Sequence, residues 1–327
     1  MEQVRLGQSG LKVSRICLGT MTFGSGADEA TAFSIMDRFV ELGGTFLDTA
    51  DQYNGGASEE IVGRWMKARG NRQDIVLATK VYSHQGPGPN ERGLSRIHIQ
   101  QAVEASLKRL QVDVIDLYQI HRWDYESPPE ETMETLNDLV RQGKVRYLGC
   151  SNLKAWHLYR YLDLAKTHGW SRFISIQPIY NAINRSIENE VLPLCAEEGL
   201  GVLNYNALAG GMLTGKYKRG AALPADTRLS DSAGYQQRYY TEQALDIVDA
   251  FVQCARERQV TPAQQALAWV LAEPRVSSPI LGARTLAQFD DSIQGLAIQL
   301  TPEERAEIPA VLPGRWVGKD PVYDRQS

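Results

Sequence analysis

Residues 43–60 read GGTFLDTADQYNGGASEE. A short apolar run, Thr45 to Leu47, stops at Asp48; a glycine-rich loop bearing Tyr53 follows, and Ser58 and Glu60 lead into a helical pattern. This strand–loop–helix unit recurs along the chain. Short β-branched runs fall near residues 16–18, 45–47, 75–79, 115–120, 146–149, 174–177, 202–205 and 278–281. Between them lie amphipathic stretches such as 30–42, 97–110 and 131–141, where Ile99, Val103, Leu107 and Leu110 form one apolar stripe. Such alternation signals βα units and a parallel sheet. Eight units with no linker between halves predict an α/β fold closed as a (β/α)8 TIM barrel, one domain over residues 1–327. Residues 3–6 and 11–13, around Gln8-Ser9-Gly10, read as an N-terminal β-hairpin outside the barrel count. Residues 206–240, carrying Gly210, Gly211, Gly215, Gly220, Pro224 and Gly234, read as a long loop after strand seven. Two helices follow over 241–259 and 262–272, with Thr261 as N-cap and Pro262 in the first helical position. The tail carries Trp316 and Tyr323.

A formal charge of −4 gives no electrostatic reason to expect nucleic acid or an anionic membrane as partner. Cysteines 17, 150, 195 and 254 show neither CxxC nor metal-type spacing, so reduced thiols and no metal are expected. The N-terminus lacks a signal-peptide pattern and no apolar run is long enough for a membrane helix, which leaves a cytoplasmic protein as the default. No heptad seam marks an oligomer interface; a monomer is the plain expectation and a homo-oligomer stays open.

In a barrel the strand C-termini share one face, where catalytic groups converge. Asp48, Lys80 and His121 each sit at such an end, and Tyr53 lies just beyond one. Singly, each has an ordinary reading: a loop cap, a solvated charge, a histidine bonded to Asp124, a packing ring. Together they suit proton transfer. A tyrosine with a pKa of about 10 is poorly matched to neutral pH, and a neighbouring Lys⁺ held by a carboxylate lowers it. A neutral imidazole can donate to a carbonyl oxygen. No residue of the four supplies a hydride, and no GxGxxG lies between a strand and a helix, so a Rossmann domain is not supported.

LDTADQY, ATK and YQIH, in that order, resemble the Asp-Tyr-Lys-His tetrad of the aldo-keto reductases. The likeness runs from RLGQSGLKVSRICLGTMTFG at 5–24 through GKVRYLGCSN at 143–152 and NALAGGMLTGKY at 206–217 to GARTLAQFDDS at 282–292, and the chain is similar to the potassium-channel β-subunit-like branch, which its N-terminal half resembles. It implies reversible NADPH-dependent reduction of an aldehyde or ketone, with Tyr53 as proton donor, Lys80 as its tuner, Asp48 as anchor and His121 as substrate orienter. It also implies an extended nicotinamide dinucleotide near Gly19, Thr20, Met21 and Asp48. Ser151, Asn152 and Gln177 match carboxamide contacts, and Tyr205 the ring stacked on the nicotinamide. Asn206, Leu208, Gly210, Leu213 and Lys216 match the pyrophosphate stretch. Gly282 and Arg284 resemble the turn at the 2′-phosphate, and Gln288, Asp291 and Ser292 the adenosine contacts, so NADPH is preferred and NADH is the weaker cofactor.

Two departures stand out: Asn206-Ala207 replaces a Ser-Pro after Tyr205, and Ser292 replaces an Asn. Tyr53, Tyr82, His121 and Trp123 are the expected substrate contacts, with Met21, Phe23, Tyr125 and Trp316 as further walls. Arg92, Arg122 and Arg228 would equally suit an acidic substrate. Other readings are a cofactor-sensing regulatory subunit, or an enzyme acting mainly as an alcohol dehydrogenase or sugar ketoreductase.

Overall fold

A computed structural model describes residues 1–320; Tyr323 lies outside the described residues. The hairpin is β1 (Gln3–Arg5) against β2 (Lys12–Ser14), antiparallel with Val4 opposite Val13. Eight parallel strands follow: β3 (Cys17–Gly19), β4 (Phe46–Asp48), β5 (Val76–Val81), β6 (Ile115–Ile120), β7 (Val145–Ser151), β8 (Phe173–Gln177), β9 (Gly201–Val202) and β10 (Ile280–Leu281). Each pairs with its predecessor from β4 to β9, and β10 pairs with β3. The ring closes between β9 and β10, where Ile280 N–H donates to Asn204 O at 2.8 Å and Ser277 N–H to Val202 O at 2.9 Å. The expected barrel is therefore present, with strand ends displaced by a few residues. The seventh strand is shorter than its apolar run, because Tyr205 pairs as an isolated bridge with Ile179 beyond the ladder.

Helices α1 (Glu29–Glu41), α2 (Ala57–Arg69), α3 (Arg96–Leu110), α4 (Pro129–Arg141), α5 (Ala155–His168) and α6 (Val191–Glu197) connect successive strands. After β9 come α7 (Ala233–Tyr239), α8 (Glu242–Glu257) and α9 (Pro262–Leu271); α10 (Leu286–Ile293) and α11 (Pro302–Glu307) follow β10. Thr261 caps α9 with a reciprocal Gln264 contact, as its sequence predicts. The stretch 206–240 is not wholly irregular: a 3-10 turn over Ala209–Thr214 and α7 break it up. Gly63 lets α2 approach α3, since a Cβ there would meet the Arg109 carbonyl oxygen at 2.6 Å.

Barrel strands are buried on both faces, so alternate residues sort into two cores. Leu47, Leu77, Tyr118 and Ile176 face the helices within the larger core, whereas Cys17, Phe46, Ala78, Leu117 and Leu203 join Leu6 and Val13 of the hairpin in a separate cluster. The hairpin thus plugs the barrel floor. One step further along the same inward positions the residues turn polar: Asp48 above Phe46, Lys80 above Ala78, Gln119 above Leu117 and Tyr205 above Leu203. Among the described residues no helix is long and apolar enough to cross a membrane.

Candidate active site

Tyr53 is carried by one 3-10 turn, Tyr53–Gly56, between β4 and α2. Its N–H donates to Ala50 O at 3.1 Å. Asn54 and Gly55 then take left-handed conformations with φ of 53° and 65°, which Asn and Gly adopt at least cost. Asn54 Nδ2 donates to Phe23 O at 2.6 Å, tying the turn to the loop after β3. Ser58 is buried beneath, 2.7 Å from Thr20 Oγ1 and 2.9 Å from Thr49 Oγ1. The turn therefore has several independent anchors.

Lys80 lies fully buried beneath the phenol. Its ammonium donates to Asp48 Oδ2 at 2.6 Å, Thr49 O at 2.7 Å and Tyr53 OH at 3.0 Å, which uses all three N–H bonds. Burial works against this charge, but Asp48 and Tyr53 outweigh it and hold Lys80 above the ordinary lysine value. Burial also raises the Tyr53 phenol; Lys80 pulls the other way without cancelling it. The sequence predicts a net lowering, and the structure gives the opposite sign because desolvation of the phenolate dominates.

His121 is 8% exposed, and its ring stands 6.0 Å from that of Tyr53, edge to face. Burial first, then the Lys80 and Arg122 charges, hold its imidazole well below the usual range, so it is neutral at neutral pH. Gln52 Nε2 sits 3.3 Å from its Nδ1, while Gln52 Oε1 accepts from Ser83 Oγ. Asn152 Nδ2 donates to His121 O at 3.0 Å, and Tyr205 OH donates to Asn152 Oδ1 at 2.7 Å. Ser151 Oγ donates to Gln177 O at 2.7 Å.

A cavity of about 780 Å³ lies over the barrel's C-terminal end, with Lys80 buried behind its lining. It brings together Gly19, Met21, Asp48, Tyr53, His121, Ser151, Asn152, Gln177, Tyr205, Asn206, Leu208, Gly210, Lys216, Gly282, Arg284, Gln288, Asp291 and Ser292. Arg122, Arg228, Tyr235 and Arg238 add to the wall, the last three from the stretch after strand seven. Other expected contacts are not on this lining. Thr20 is buried with its hydroxyl 3.1 Å from Asp48 O, and Leu213 is part of the core. Trp123 turns toward α5, stacked on His157 at 4.2 Å and 7°, and Tyr82 sits behind Arg122 with that guanidinium 5.1 Å over its ring. Phe23 is core.

Gln52 and Gln119 belong to the site although the sequence reading gave neither a role. Gln119 could have been found from its inward position two residues after Leu117; Gln52, in a non-periodic loop, carries no such signal.

The residues fit an extended anionic dinucleotide. Gly210 and Gly211 have φ of 67° and 93°, and the Tyr235 ring and the Lys216 side chain pack where their Cβ atoms would stand, which brings the Lys216 ammonium against the turn. Lys216, Arg228, Arg238 and Arg284 surround that turn and the far end of the cavity. Arg284 donates to Asp231 Oδ2 at 2.9 Å and to Asp226 O, and its own N–H donates to Gln288 Oε1 at 3.0 Å.

Comparison with known proteins agrees with the geometry. The pattern of the aldo/keto reductase family matches residues 15–313. An uncharacterized oxidoreductase, YrpG, of Bacillus subtilis is 41% identical, over 96% of this chain and 97% of its own. Versiconal hemiacetal acetate reductase of Aspergillus parasiticus is 37% identical over 93% and 95%, and a probable voltage-gated potassium channel subunit beta of Arabidopsis thaliana 38% over 92% and 94%. With its barrel, its strand-end cleft and its likeness to named reductases along nearly the whole length, the chain is an oxidoreductase and belongs to the aldo/keto reductase family.

Proposed function

We propose that this chain reduces an aldehyde or ketone reversibly with NADPH, Tyr53 giving the proton. The observation that carries the reading is the buried ammonium of Lys80, divided between Asp48 at 2.6 Å and the Tyr53 hydroxyl at 3.0 Å. A bound NADPH supplies the hydride. The residues do the rest. Gln52 Nε2 stands 3.3 Å from Nδ1 and 3.5 Å from Nε2 of His121; with the nearer Nδ1 as its acceptor, the proton of the neutral ring is on Nε2 to hold the carbonyl oxygen. Tyr53 passes its hydroxyl proton to that oxygen. Lys80 stabilises the phenolate left behind, and Asp48 keeps Lys80 in place and the pair neutral. In the reverse direction the same phenolate accepts the proton.

Arg284 and Gln288 support NADPH over NADH, since a guanidinium fork suits a phosphate monoester. Asn152, Gln177 and Tyr205 are assigned to the nicotinamide end, and Gly210 and Lys216 to the pyrophosphate. A single barrel unit carries the activity, and four free thiols fit a reducing, cytoplasmic setting. The likeness to a potassium-channel β subunit keeps a second reading in view, tight cofactor binding with slow turnover.

Turnover of 4-nitrobenzaldehyde with NADPH, wild type against Tyr53→Phe, tests the assignment. Loss of the proton donor should lower kcat by about 10²–10⁴-fold with NADPH binding retained. Normal turnover by Tyr53→Phe would overturn the role of Tyr53. Tight NADPH binding by a wild type that turns over no carbonyl would favour the regulatory reading.

A further inference from the structure

The Asp48 oxygen that Lys80 leaves is taken by two side-chain amides. Gln119 Nε2 donates to Asp48 Oδ1 at 3.0 Å and Gln177 Nε2 to the same atom at 2.9 Å. Gln177 Nε2 also stands 3.3 Å from Gln119 Oε1, which closes a triangle of hydrogen bonds inside the barrel. Gln119 is fully buried, one step above the apolar floor. Room for it is built into β7: a Cβ on Gly149 would come 3.1 Å from Gln119 Cγ. A leucine-like filler would serve packing equally well at this height, so an amide needs a polar reason.

We propose that Gln119 is a positioning residue of the reduction, tying the seat of the nicotinamide carboxamide at Gln177 to the Asp48–Lys80–Tyr53 chain. The proposal rests on the reading of Tyr53 as proton donor. A carboxylate paired with an ammonium only accepts, which fixes both amide orientations. Both N–H bonds of Gln177 are thereby engaged inward, and its Oε1 is the end left for the cleft. The two amides also share the charge of Asp48. With Gln119 gone, Asp48 would draw the Lys80 ammonium harder, and less of that positive charge would act on the Tyr53 oxygen. Tyr53 would then be the weaker acid, and Gln177 would be free to turn.

The test is Gln119→Leu beside Tyr53→Phe, with kcat measured against pH and NADPH affinity by fluorescence quenching. Gln119→Leu should lower kcat about tenfold or more and move the basic limb of the kcat profile up by about one pH unit, with NADPH affinity changed far less. Gln119→Glu, which can donate only while protonated, should keep activity at low pH and lose it steeply as the carboxyl ionises. It also serves if the leucine variant fails to fold. A purely structural role would lower the melting temperature of Gln119→Leu and leave its pH profile in place. Unchanged kcat and profile in Gln119→Leu, or Gln119→Glu activity that follows the wild-type profile, would overturn this proposal alone when Tyr53→Phe is inactive. An active Tyr53→Phe would overturn the reading beneath it as well.

Discussion

Replacing Asp51 with Asn should stabilise the protein, and more so as the pH rises. Asp51 follows β4, two residues before Tyr53, and is wholly buried with neither carboxyl oxygen hydrogen-bonded among the described residues. The backbone N–H groups of Gln52 and Tyr82 face it without reaching bonding geometry. Glu59 of α2 competes for the same cation and holds it better, accepting from Arg109 Nε at 2.7 Å and from Thr79 Oγ1 at 2.6 Å. Two carboxylates thus share one guanidinium, and the buried Tyr118 phenol of β6 faces them as well. Burial, reinforced by Glu59 and opposed by Arg109, pushes the Asp51 carboxyl from 3.8 up to about 7.

The sign follows from linkage. Below about pH 4 both the folded and unfolded chains hold the proton, and Asp51 contributes no penalty. Between about pH 4 and 7 only the fold retains it, so stability falls by about 1.4 kcal/mol per pH unit. Above about pH 7 the penalty levels off near 4 kcal/mol, an upper figure because Asn also forgoes the attraction to Arg109. Urea unfolding of wild type and Asp51→Asn at pH 5 and pH 8 reads this directly. The advantage of the variant should grow by roughly 2–3 kcal/mol between those two values. A difference independent of pH, or a variant less stable than wild type at pH 8, would refute the reasoning.

Two further outcomes follow from other parts of the molecule. Arg284→Ala should raise the KM for NADPH by about 10–100-fold, the worth of one charge-assisted hydrogen-bonded pair, and barely move that for NADH; equal effects on both would remove Arg284 from the 2′-phosphate. Gly63→Ala should destabilise the barrel by about 1–3 kcal/mol, because its methyl would meet α3 backbone 2.6 Å away; a thermal midpoint equal to wild type would show that α2 and α3 separate without cost.

The barrel was legible because its signal repeats. Eight apolar runs, each spaced by an amphipathic helix, leave few topologies, and a barrel sets Asp48, Lys80 and His121 on one face from strand ends alone. What stayed hidden depends on contacts far apart in sequence. Trp123 reads as a cleft wall by its nearness to His121, but its direction is set by His157, on a helix that folds beside it. The helix α7 was masked by glycine and polar residues around a seven-residue element, and it carries Tyr235 and Arg238 to the cleft. Gln119 sits inside the run Ile115–Ile120, where an apolar average conceals one inward amide. The sign of the Tyr53 shift could not be read either, since it turns on how deeply the phenol is buried.

The same burial explains why the site is assembled as a closed network. At the top of an apolar barrel floor an unpaired charge is costly, and a buried ion pair is stable only when its remaining hydrogen bonds are met. Here Lys80 meets three oxygens and Asp48 meets an ammonium and two amides, so the charges cancel within one layer of side chains. The Tyr53 phenol lines the cavity and accepts from Lys80, which leaves its own proton for another acceptor. Removing Asp48 alone would strand Lys80, and removing Lys80 alone would strand Asp48. Each single loss therefore costs more than the pair is worth, and their effects on turnover should not add. Asp51 shows the contrast, a carboxyl under the same loop with no such network, and burial pushes it up to about 7.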